Sequence, residues 1–172
     1  MSSNSFLSAG NRIPRWAFLT SAAAAAALLL SGCASHEGAT STPAKRKYTP
    51  ATAEALAPFR DVDLHLERLV SAGQSIPLPA ATPITIRLGA GGRIAGKSSV
   101  NRFFGTYQME PDGTLKWPNA ALGLTRMAGP QDAMDLESKF TSSLAASQKL
   151  LVASDAVRFE SNDGSHIAEF RK

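Results

Sequence analysis

Few side chains of this 172-residue chain could do covalent, acid–base or metal chemistry. There is one cysteine, Cys33, and there are three histidines, His36, His65 and His166. A single thiol excludes an internal disulfide and a cysteine-rich zinc site. His65 alternates with Asp61 and Asp63 on one face of an expected strand, a spacing that would supply half of a metal site. A solvated polar face accounts for the same spacing and is the preferred reading. The sequence contains no Gly-x-Ser-x-Gly, no His-Glu-x-x-His and no phosphate-binding loop. Only His65 and His166 fall in the expected folded region, so a hydrolase is a remote alternative. No catalytic residue, metal or cofactor is assigned.

The elements around Cys33 say more. Arg12 and Arg15 form a positive flank, separated by Ile13-Pro14, which does not support a twin-arginine signal. An uninterrupted weakly apolar run follows from Trp16 to Leu30. As a helix it would reach roughly 22 Å, short of the roughly 30 Å hydrocarbon core, a length that fits a secretory signal better than a membrane span. The run closes with Leu30-Ser31-Gly32-Cys33, which resembles the lipobox of bacterial lipoproteins. That resemblance implies cleavage after residue 32, so that residues 1–32 are a signal peptide. It also implies a diacylglyceryl thioether on Cys33 and, as a rule, N-acylation such as palmitoylation. Ala34 and Ser35 follow with no Asp at the second position, which in this family favours the outer membrane, facing the periplasm. Two or three acyl chains, at about 0.8 kcal/mol per buried methylene, hold a protein firmly to a bilayer.

Loss of residues 1–32 removes Arg12 and Arg15 and no acid, leaving 16 basic against 14 acidic side chains, a balance of +2. A nearly neutral mature chain gives no electrostatic reason to expect a nucleic-acid partner. Residues 33–58 are rich in Ala, Ser, Thr and Pro around Lys45-Arg46-Lys47, with Tyr48 and Leu56 as the only large apolar side chains. They read as a disordered tether.

Residues 59–172 then suffice for one core. Val62, Leu64 and Leu66 alternate with polar residues, as do Ile84, Ile86 and Leu88, the period of half-buried strands. Further strands are expected at Arg93 to Ala95, Arg102 to Met109, Thr114 to Trp117, Lys149 to Ala153, Val157 to Glu160 and Ile167 to Phe170. Tight turns at Pro111-Asp112-Gly113 and Asn162-Asp163-Gly164 separate some of them. Between them, Pro130 opens a helix whose apolar positions Ala133, Leu136, Phe140 and Leu144 recur at helical spacing to about Ser147. The expected fold is α+β: a curved, mostly antiparallel sheet or partly closed barrel of about seven or eight short strands, with one helix packed across it.

Gly96-Lys97-Ser98-Ser99-Val100-Asn101-Arg102-Phe103-Phe104-Gly105-Thr106-Tyr107 resembles the signature of META domains, the HslJ-like family. A second block, Thr125-Arg126-Met127-Ala128 followed by Met134, Glu137, Phe140 and Leu144, resembles the same family in the correct order. So do Val157-Arg158-Phe159 and Ala168-Glu169-Phe170-Arg171 at the end. Family members often carry cysteines where this chain has Val100 and Gly129, so a paired-thiol role is absent. Ser99 replaces a usual glycine, and a tryptophan common in the first strand is missing near Leu66 and Glu67. The resemblance implies a small exported α+β domain, often lipid-anchored and associated with envelope or heat stress, without an established enzymatic activity.

Read physically, the motif positions are structural. Asn101 tolerates positive φ and its amide can satisfy loose backbone groups of a turn. Gly96 and Gly105 permit bulges or close strand approach. Phe103 and Tyr107 share one strand face, with Phe104 on the other. Thr125 and Arg126 precede the helix, where Arg126 would meet either an anion or Glu137; Met127 completes the block. The leading expectation is a non-enzymatic, lipid-anchored envelope module that engages another envelope protein. The alternative is a carrier or sensor of a small apolar ligand held in the partly closed barrel, in a cavity lined by Phe103, Phe104, Met109 or Trp117.

Overall fold

The computed structural model describes residues 46–81, 83–118 and 122–172. The expected signal peptide 1–32, Cys33 and the first part of the expected tether lie outside these residues. Residues 41–172 group as one compact unit. Its strands and helices, in chain order, are β1 (Thr49–Pro50), α1 (Ala53–Leu56), β2 (Leu64–Ser71), β3 (Gln74–Ile76), β4 (Ile84–Leu88), β5 (Arg93–Ser98) and β6 (Arg102–Thr106), then β7 (Gln108–Met109), β8 (Leu115–Lys116), β9 (Gly123–Leu124), α2 (Gln131–Ala145), β10 (Lys149–Val152), β11 (Ala156–Glu160) and β12 (Ile167–Arg171).

Ten of these strands make one antiparallel sheet in the order β1-β10-β11-β12-β2-β4-β5-β6-β9, with β3 paired to β2, while β7 and β8 form a separate ribbon. The class and the antiparallel pairing follow the expectation; closure and strand number do not. The sheet ends at β1 and β9 and is open, not a partly closed barrel. The extra members are two- and three-residue strands, too short to carry an alternating pattern. A second, four-residue helix, α1, also joins the single helix expected.

Alternation sets the two faces. Leu64, Ile84, Ile86, Leu88, Ile94, Phe103, Phe159, Ala168 and Phe170 point inward and are buried. α2 crosses this inner face, in contact with β2, β5, β11 and β12. Ala133, Leu136, Phe140 and Leu144 form its buried stripe. Pro130, expected at the first helical position, sits instead at the N-cap, and the helix begins at Gln131. Inside, edge-to-face rings follow one another: Phe103 to Phe140 at 5.5 Å, Phe140 to Phe170 at 6.1 Å, Phe170 to Phe159 at 6.1 Å and Phe159 to Tyr107 at 6.4 Å. Such pairs add about 0.5–1.5 kcal/mol each beyond their buried area.

The tether boundary needs correction, because residues 46–58 are folded onto the domain. Thr49 and Pro50 pair with Val152 and Leu151, and the Ala51 amide donates to the Leu150 carbonyl at 2.9 Å. The Thr52 hydroxyl caps α1 by accepting from the Ala55 amide, and Leu56 is buried. Arg46 donates to Asp155 through Nε at 3.1 Å and to Glu67 and Glu169 through Nη1 at 2.6 and 2.7 Å. The Tyr48 ring lies 3.7 Å from the Arg158 guanidinium carbon. Apart from the Thr52 cap, these contacts are made to residues far along the chain, so local composition alone reads as a linker.

Candidate functional site

The motif block folds into a buried polar knot between the β5–β6 turn and α2. Ser98, Asn101 and Glu137 are all at least nine-tenths buried. The Asn101 main-chain amide donates to Glu137 Oε2 at 2.7 Å, and its side-chain Nδ2 donates to Glu137 Oε1 at 2.8 Å and to the Met127 carbonyl at 3.2 Å. Asn101 Oδ1 accepts from the Thr125 hydroxyl and from the Met127 amide, both at 2.8 Å. An asparagine amide has two donors and two acceptor sites, and here all four are used. Thr125 Oγ1 also accepts from the Arg102 amide at 3.1 Å, and Ser98 Oγ donates to Glu137 Oε2 at 2.8 Å.

Burial alone would push the Glu137 carboxyl up. The hydrogen bonds from the Asn101 main chain and side chain and from Ser98 outweigh it and hold the group below the usual range. Glu137 is therefore an anion inside the fold, solvated by protein donors instead of water. Arg126, the alternative contact for Glu137, is exposed. The Asn101 amide, with all four sites taken, and the Glu137 carboxylate, accepting from Asn101 and Ser98, are engaged within the fold. They can tie helix to sheet.

The remaining motif positions pack. A Cβ on Gly96 would lie 1.9 Å from the Thr85 carbonyl oxygen and 2.9 Å from the Phe103 ring, and one on Gly105 2.8 Å from Leu122. The β5–β6 ladder runs through both without a register shift, so they serve close approach and not a bulge. The left-handed residue of the turn is Ser99, with φ +98°, rather than Asn101. Ser99 Oγ is buried and has no hydrogen-bond partner among the described residues. Val100 and Gly129 are neighbours: a Cβ on Gly129 would stand 3.4 Å from the Val100 Cβ. Tyr107 is buried, which pushes its phenol up. Phe103 is in the core, Phe104 is exposed on the opposite face, and Met109 and Trp117 pack against the core. These four side chains do not line one common space.

The histidines are apart. His166 Nδ1 lies 3.1 Å from the buried Ser143 hydroxyl, which also contacts the Val70 carbonyl at 3.2 Å. With Ser143 donating to that carbonyl, His166 supplies the other proton. His65 is exposed on the outward face of β2. Beside it, Asp63 is engaged by Arg87, at 3.0 Å from Nε and 2.8 Å from Nη2. Among the described residues no three His, Cys, Asp or Glu gather as a metal site.

The outward face carries what the sequence reading missed. His65, Thr85, Lys97 and Arg102 are register partners across four adjacent strands, continuing from Arg171 on β12. An open groove of about 680 Å³ lies over them, bordered by Asp63, Arg87 and Phe104. Phe104 is 61% exposed and rests over Gly123, where a Cβ would meet its ring at 2.4 Å. The signal in the sequence is the polar half of each alternating strand.

An open antiparallel sheet, crossed by a helix and locked to it through an Asn–Glu knot, defines a small α+β domain with one packed and one exposed face. The META domain family model matches residues 57–172, and the chain belongs to this family. No curated protein matches the chain. Among solved structures, an NMR structure of a protein from Burkholderia xenovorans is similar over 75% of this chain and 94% of its own, at 23% identity and a TM-score of 0.56. A DUF4847 family protein from Bacteroides vulgatus is similar over 66% of this chain and 93% of its own, at 13% identity and a TM-score of 0.47. The first of these likenesses is one of fold.

Proposed function

We propose that this protein is a lipid-anchored, non-enzymatic module of the bacterial cell envelope, held through Cys33 after removal of residues 1–32 and working through its exposed surface. The observation that carries the reading is the position of the only cysteine, directly after Leu30-Ser31-Gly32 at the end of a signal-length apolar run. The folded region supports it in a second way. Within the family motif, Ser98, Asn101, Thr125 and Glu137 are occupied with each other, so recognition falls to the outward face. Outer-membrane anchoring facing the periplasm, an envelope-protein partner and a part in stress response belong to the same proposal.

The test is cellular fractionation with palmitate labelling of the full chain and its Cys33→Ser variant. The parent should label and sediment with membranes, and the variant should lose the label and either leave the membrane fraction or stay unprocessed. A variant that remains membrane-bound and cleaved at the same place would overturn the anchor.

A further inference from the structure

We infer that the outward face of β4, β5 and β6 is a membrane-docking surface that seats the domain on anionic lipid headgroups. The inference rests on the Cys33 anchor proposed above and adds the orientation that the anchored domain takes.

Three observations carry it. The first is charge. Arg87, Arg93, Lys97 and Arg102 all project from this face, as their register partners and exposure require, and the only acids from Asp63 through β6 are Asp63 itself and Glu67. Asp63 pairs with Arg87 and Glu67 with Arg46. Lys97 and Arg102 make no ion pair among the described residues. The row from Arg171, itself paired with Glu67 and Asp155, to the unpaired Lys97 and Arg102 crosses five strands, roughly 19 Å at strand spacing. The second is Phe104, a large apolar ring that is 61% exposed in the middle of these cations. An aromatic ring within a basic patch is the composition that settles at the headgroup boundary, with the ring below and the cations at phosphate level.

The third is where the chain comes from. Arg46 is pinned to the same outward face by Glu67, Glu169 and Asp155, and its side chain is only 14% exposed. Twelve residues separate it from Cys33, a link of at most about 45 Å even when fully extended. A compact unit of this size is roughly 36 Å across. With the outward face down, the link is slack. With the α2 face down, it would have to run nearly straight past the whole domain. Link length thus favours the orientation that the charged face requires.

The test couples the mature chain, residues 33–172, through its sole cysteine to a maleimide lipid in vesicles, so that attachment does not depend on acylation in the cell. Phe104→Trp is the probe, read against the parent, which retains only Trp117. Vesicles with brominated chains quench an indole that enters the headgroup boundary. Vesicles containing phosphatidylglycerol should quench the emission that Phe104→Trp adds, and pure phosphatidylcholine vesicles should quench it far less. At about 1 kcal/mol per basic residue near an anionic surface, Lys97→Glu with Arg102→Glu should lower the docked-to-free ratio at least about 30-fold. Lys139→Glu, on exposed α2, should change it less than twofold. Equal quenching on neutral and anionic vesicles, no quenching on either, or an equal effect of Lys139→Glu would overturn the docking surface. Each of those results leaves the palmitate-labelling test of Cys33 to stand or fall alone.

Discussion

Ser99→Gly should stabilise the domain, although a glycine in place of another residue ordinarily weakens a fold. Ser99 opens the three-residue turn between β5 and β6, closed by the Ser98 amide donating to the Asn101 carbonyl at 2.8 Å. Its φ of +98° is in the half of conformational space that a Cβ disfavours. Holding an L side chain there costs about 1–2 kcal/mol. The buried, unpartnered hydroxyl adds about 1–3 kcal/mol. Against these stands the greater entropy of an unfolded glycine, about 0.5–1 kcal/mol. The balance is a gain of about 2 kcal/mol, seen as a higher urea midpoint at unchanged slope and a midpoint temperature raised by about 6–8 °C. Ser99→Ala removes the hydroxyl and keeps the Cβ, so it should recover most of that, about 1–2 kcal/mol. If Ser99→Gly proved neutral or destabilising while Ser99→Ala stabilised, the strain argument would be refuted and only the hydroxyl would matter.

Other positions respond in ways that separate the roles assigned to them. Glu137→Gln should cost about 2–4 kcal/mol at pH 7, because it replaces charge-assisted bonds and turns an amide donor toward Asn101 and Ser98. The carboxyl is depressed in the fold, so its contribution is complete above the ordinary value of 4.5 and fades as pH falls through the lower folded value. Urea midpoints of parent and variant should therefore draw together as pH falls below 4.5. Val100→Cys with Gly129→Cys, in a Cys33→Ser background, should form a disulfide, since the Cβ atoms would stand 3.4 Å apart. Closing a loop of about 30 residues corresponds to about 3–4 kcal/mol, read as the difference in unfolding midpoint between oxidised and reduced protein. A chain beginning at Phe59 should be less stable by about 3 kcal/mol or more than one beginning at Arg46, mainly through loss of buried Leu56. Equal midpoints would return residues 46–58 to the role of linker.

What the sequence made legible, and what it hid, divides along physical lines. Strands of four residues or more and α2 carry their own periodicity, so Ile84–Leu88 and the Ala133, Leu136, Phe140, Leu144 stripe were readable without coordinates. β1 and β9 are two residues long and exist only through their partners, so nothing local announced them. The same holds for Arg46, whose three carboxylates come from β2, β12 and the turn between β10 and β11. The knot is half visible in sequence: Asn101 stands out as a turn residue, whereas Glu137 falls outside the apolar stripe Ala133, Leu136, Phe140 and Leu144 although it lies on the buried face of α2. Ser98 and the positive φ of Ser99 were invisible, because both depend on how the turn closes. The cationic row needed strand register, which single-strand alternation does not supply.

The central claim is that the mature protein begins at Cys33 and carries lipid there. Intact-mass measurement of the protein extracted from membranes tests it most directly. The account predicts a chain of residues 33–172 heavier than its sequence by a diacylglyceryl group, with or without a further acyl chain. An unmodified mass, or an N-terminus at any other residue, would contradict it.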